Sequence, residues 1–137
     1  MRKLDQRGIG AMEFCLVAAP LFILMFAIFD LGRYAITMQS LRTLANAGAR
    51  TWMINDCFVN SVMSRTSPTC SGDPLPSTAE KKAVAPMLFA GGLSPTLNTT
   101  TGGSALTVTA SEPSFSMLMP IWGTSLNNPS ASTTIPF

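Results

Sequence analysis

Glu13 is the acid whose position demands a chemical explanation. It stands five residues after Gly8 and directly before Phe14–Phe29, sixteen residues without a charge. An ionisable side chain at the edge of such a run is costly to hold and marks a functional position by default. Chemistry is thinly provided elsewhere. The chain has no histidine, so the commonest general base and the commonest metal ligand are missing. Asp56, Asp73, Glu80, Lys81 and Glu112 show no spacing that suggests a carboxylate or Ser-Lys site. The reading is of a protein that is not an enzyme, with no cofactor and no metal. Cys15, inside the apolar run, reads as a small apolar residue.

The element that positions Glu13 is the apolar run itself. With Ile9, Gly10, Ala11 and Met12 it extends to about 20 residues, the span a bilayer core needs. A buried core helix is the competing reading, but little chain remains to cover such a helix on every side. Arg2, Lys3 and Arg7 precede the span, which places the N-terminus in the cytoplasm and the rest in the periplasm or beyond. The formal net charge of +2 comes from this start. Setting aside those three bases and Asp5 from totals of 9 and 7 leaves six of each sign. That balance gives no electrostatic footprint for nucleic acid. A conventional cleaved signal has a shorter apolar middle and a small-x-small site after it, and this chain shows neither.

Beyond Phe29 the helical period continues. Leu31, Tyr34, Met38, Leu41, Ala45, Ala49 and Trp52 recur at three- and four-residue spacing as one amphipathic stripe. Asp30 and Arg33 are three apart and can pair at the membrane exit. A helix over 9–55 follows, about 70 Å long. Pro20 bends it or serves as a hinge. The small segment Ala45-Asn46-Ala47-Gly48-Ala49 admits a close neighbour, either the chain's own head or another subunit.

Residues 56–137 form a polar, loop-rich head. Cys57 and Cys70 are expected to pair if this part reaches an oxidising compartment. Ser77-Thr78-Ala79-Glu80 is a capping-box pattern, predicting a short helix to about Phe89 unless Pro86 shortens it. Lys81 and Lys82 read as a solvated face. From Ser94 onward 17 of 44 residues are Ser or Thr, which favours loops and β structure over helix. Strands are predicted at Ala105–Ala110, Ser114–Trp122 and Ser132–Ile135. Met117-Leu118-Met119 and Trp122 read as sheet core or as a partner-binding patch. The fold class is therefore α+β: a long N-terminal helix, membrane-spanning over 9–30 and amphipathic over 31–55, with a small antiparallel sheet in the head.

Arg7-Gly8-Ile9-Gly10-Ala11-Met12-Glu13-Phe14 resembles the type IV prepilin processing site. There a membrane peptidase cuts after a glycine, and a glutamate is fifth in the mature chain. Counted from Ile9, Glu13 is fifth. Glu13-Phe14, with Leu16-Val17-Ala18-Ala19 after Cys15, looks like the tight-adherence (Tad) branch. Asp30-Leu31-Gly32-Arg33 resembles the acid-x-Gly-Arg motif of TadE-like minor pilins. Ala45–Arg50 resembles their Ala-rich segment ending in Gly-Ala-Arg. Leu106–Thr109 and Thr133–Ile135 look like that family's closing strands.

The resemblance implies a leader at 1–8 removed between Gly8 and Ile9. It implies that Glu13 and Phe14 serve processing and assembly, Glu13 by pairing with the freed Ile9 amine of a neighbour. Such a pair fixes register more than it stabilises. The implied partners are a prepilin peptidase, other minor pilins, the major pilin, an inner-membrane assembly platform and lipid. Two alternatives stand beside it. One is a permanently anchored envelope protein whose head binds a partner. The other is a type II secretion-like pseudopilin, although Ile9-Gly10 and Phe14 depart from that pattern.

Overall fold

The computed structural model describes the backbone of residues 7–137, and side chains from Gly10 onward except Pro120. Residues 1–6 of the expected leader, and the side chains of Gly8 and Ile9, lie outside the described residues. Helix α1 runs from Arg7 to Met53 and passes through Pro20. α2 is Asp56–Ser64, α3 Thr78–Val84 and α4 Pro86–Ala90. Three strands follow: β1 Thr96–Thr101, β2 Ala105–Ser111 and β3 Ser130–Pro136. They form one antiparallel sheet in the order β1-β2-β3, with Leu97 opposite Ala110 and Leu106 opposite Ile135. The architecture is α+β, a long helix followed by a small head.

α1 has two halves with opposite surroundings. The first is apolar and almost uncovered: Phe14, Leu16 and Val17 are exposed, and so are Leu24 and Phe29. Among the described residues it is the one helix long and apolar enough to cross a membrane. The second half is the spine of the head. Leu41, Leu44, Ala45 and Ala49 are buried against Leu88 of α4 and against Leu97, Leu106, Val108 and Ile135 of the sheet. Each fully buried leucine contributes about 1.5–3 kcal/mol. A Cβ on Gly48 would lie 2.7 Å from the Pro74 ring and 2.8 Å from Leu97. The small segment thus serves the contact between helix and own head, one of its two expected roles.

Several local expectations are corrected. The long helix stops at Met53, not residue 55. Asn55 takes extended backbone, and its side chain accepts from the Cys57 N–H to open α2, a helix the sequence reading missed. The expected helix after Ser77 is two short ones. Pro86 offers no N–H and pushes Ala85 out of helical geometry, to φ −134° and ψ 64°. Ser77 does cap α3, accepting from the Ala79 N–H.

The strand expected over Ser114–Trp122 is a loop ending in a 3₁₀ turn at Pro120–Trp122. Its backbone donors go elsewhere: Phe115 to the Glu112 carbonyl, Met117 to the Asn127 side chain, and Leu118 and Met119 to Asp30. The third strand is instead Thr96–Thr101, whose inward residues Leu97 and Thr99 are buried.

Candidate assembly and membrane-exit site

The candidate residues lie at three heights along α1. At the bottom, Glu13 and Phe14 project from the uncovered apolar half. Glu13 makes no hydrogen bond or ion pair within the described residues, so it is free to meet something outside the chain. Gly10 likewise has open space where a Cβ would stand. Gly8 and Ile9 lie in the helical backbone just below.

The second height is Asp30, where the apolar half ends. Its side chain is 2% exposed, although every residue from Gly10 to Phe29 is wholly or partly exposed. The cover comes from the loop between β2 and β3. The Leu118 N–H donates to both carboxylate oxygens, at 3.2 and 3.0 Å, and the Met119 N–H donates at 3.0 Å. Arg33 adds a third partner from the next turn, at 3.4 Å. Charge-assisted bonds of this kind contribute about 1.5–3 kcal/mol each.

The same turn of α1 holds the loop by packing. The buried Phe115 ring lies 6.2 Å from Tyr34, tilted, and the Arg33 guanidinium sits 5.4 Å from the Phe115 centroid. Glu112, wholly buried at the start of the loop, takes the Ser114 N–H and hydroxyl on one oxygen. That folds the chain back so that Phe115 faces α1.

Gly32 plays no part in this lock. A Cβ there would meet nothing within 4 Å. The expected motif Asp30-Leu31-Gly32-Arg33 therefore divides: Asp30 and Arg33 hold the head, and Gly32 faces outward. Sequence reasoning paired Asp30 with Arg33 and missed Leu118 and Met119. A backbone N–H carries no signal of its partner in the sequence. Met117, Leu118 and Met119 do not form sheet core: Leu118 is 74% exposed.

At the third height the head is pinned to the upper part of α1. Trp52 donates its indole N–H to the Thr99 hydroxyl at 2.7 Å, and the Thr133 hydroxyl bonds the Asn46 side chain at 2.7 Å. Cys57 and Cys70 are joined in a disulfide, Cα–Cα 5.5 Å, tying α2 to the loop before α3. The Thr101 hydroxyl donates to the Cys70 carbonyl, extending the tie to β1. Cys15 is exposed on the span. Among the described residues no three acidic or cysteine side chains gather as a metal ion would require.

No curated protein and no solved structure matches the chain. The long helix is matched: residues 8–50, from the Gly8 boundary to Arg50 at the end of the small segment, fit the family model described as TadE-like protein.

Proposed function

We propose that this chain is a minor pilin of the Tad type, cut by a prepilin peptidase between Gly8 and Ile9. It then takes part in assembling or capping an adhesive pilus. One observation carries the reading: a bare apolar half-helix with an unpartnered acid, Glu13, near its start, inside the stretch that fits the TadE-like model. A helix apolar on all sides belongs in lipid or against other apolar helices. A pilin subunit needs both environments in turn. The membrane stores it, and the filament core receives it.

The head supports a minor over a major role. Residues 56–137 form a folded, disulfide-tied body. In the proposed orientation the basic leader stays at the cytoplasmic face and the head lies across the membrane. The Ile9 amine freed by cleavage would face Glu13 of a neighbour. Other pilus subunits, the peptidase and the inner-membrane assembly platform are the corresponding partners.

Mass spectrometry of the mature N-terminus tests this, with and without a Tad prepilin peptidase. A peptidase-dependent start at Ile9, lost in Gly8→Ala, is the expected result. A chain still carrying its leader beside an active peptidase would overturn the pilin reading and leave a permanently anchored envelope protein.

A further inference from the structure

The loop that supplies the donors to Asp30 is apolar on its outer side. Leu118 is 74% exposed and Ile121 58%, and Trp122 is half-buried beside them. Residues 113–137 contain no charged side chain. Large apolar groups left open on an uncharged loop are explained by what lies at their height.

That height follows from α1. The Leu118 and Met119 N–H groups are 3.0 Å from the Asp30 carboxylate, so the loop sits level with Asp30. Asp30 is 20 residues along the helix from Gly10, about 30 Å, the thickness of a bilayer's hydrocarbon core. A membrane that holds residues 10–29 ends where the loop begins. Arg33, half-exposed, stands one turn higher along the helix. Exposed aliphatic groups with a nearby arginine suit the interfacial zone, while the Trp122 indole N–H is turned inward and buried.

We propose that residues 117–122 lie in the interfacial layer of the membrane on the head side, with Leu118 and Ile121 reaching the acyl boundary. The head is then seated on lipid by a second contact beside the span. The loop also closes Asp30 off from the hydrocarbon, which is why a carboxylate is tolerated at that depth. The proposal rests on the reading of α1 as a membrane span, and its test separates the two.

The native tryptophans report the contact. Trp122 is in the loop, whereas Trp52 lies 22 residues beyond Asp30, roughly 33 Å higher along the helix. The full chain is reconstituted sparsely in vesicles of phosphatidylethanolamine and phosphatidylglycerol, with or without bromine on the acyl chains near the headgroups. In Trp52→Phe, bromine is expected to lower Trp122 emission about twofold, as for a ring within interfacial depth. In Trp122→Phe, Trp52 emission is expected to stay unchanged. Leu118→Ser with Ile121→Ser keeps the backbone bonds to Asp30 and is expected to lift the quenching of Trp122.

A Phe22→Trp probe in the chain lacking both native tryptophans, with bromine placed near the ends of the acyl chains, reads the span separately. Quenching of that probe without quenching of Trp122 overturns the loop contact and leaves the span standing. Quenching of neither overturns both. A Trp122 signal that ignores bromine but changes when copies are crowded in plain lipid assigns the loop to a neighbouring copy, and also overturns the proposal.

Discussion

Asp30 and Leu118 are 88 positions apart, and the Leu118 N–H reaches both oxygens of the Asp30 carboxylate. This joins the end of the apolar half-helix to the far side of the head. The orientation of the head on α1 is therefore held at both ends of their contact. Asp30 and Phe115 hold the lower end, and Trp52 with Thr99 the upper. A rigid stalk is what a subunit needs if its helix is to pass from lipid to a packed filament without its head swinging.

Removing the acid should loosen the lower end first. Asp30→Ala leaves two part-buried N–H groups without their acceptor, at up to about 1–3 kcal/mol each. The expected result is a lower melting temperature of the detergent-solubilised chain and faster hydrogen exchange at Leu118 and Met119. Arg33→Ala should cost less than about 1 kcal/mol, because that partner is half-exposed and screened. Equal effects from the two variants would show that the ion pair, not the backbone donors, carries the lock.

Gly48 should resist even the smallest side chain. Alanine is favoured over glycine in a helix by about 1 kcal/mol. Here its Cβ would press on the Pro74 ring and Leu97, both already buried. Overpacking of that kind costs about 1–3 kcal/mol. Gly48→Ala is therefore expected to destabilise the head in thermal unfolding, whereas Gly32→Ala, with open space around it, should raise or preserve stability.

These contacts also show what the sequence could and could not reveal. The long helix was legible because one period runs unbroken from the apolar run into Leu41, Ala45 and Trp52. One strand was legible from alternation, as Leu106, Val108 and Ala110 share the inward face of β2, and a second was expected over Ser132–Ile135, within β3. β1 was hidden because its inward Thr99 is polar and is buried only by giving Trp52 an acceptor. The segment 114–122 carried apolar residues enough for a strand. Its N–H groups had a better partner in a carboxylate that is remote in sequence. Leu118 and Met119 belong to the site through main-chain atoms, which no residue type encodes.

The Cys57–Cys70 bridge should matter for the head alone. Closing a loop of this size contributes about 3 kcal/mol, chiefly by restricting the unfolded chain. Cys57→Ser with Cys70→Ser is expected to lower the melting temperature to match that of the wild type under reductant, while far-UV circular dichroism still reports the long helix. A variant that loses the helix signal as well would mean that the bridge is needed for folding of the whole chain.

Glu13 should behave in the opposite way. It makes no hydrogen bond or ion pair within the described residues, and its removal takes an uncompensated acid from an apolar stretch. Surface substitutions of this kind change stability by no more than about 0.5 kcal/mol. Glu13→Ala is therefore expected to leave the melting temperature unchanged and membrane insertion undiminished while pilus number falls. Glu13→Asp, which keeps the charge on a shorter arm, should restore part of the assembly. Normal piliation by Glu13→Ala in cells lacking the wild-type chain would remove the acid from the assembly step. The apolar half-helix would then be left to set subunit register by shape alone.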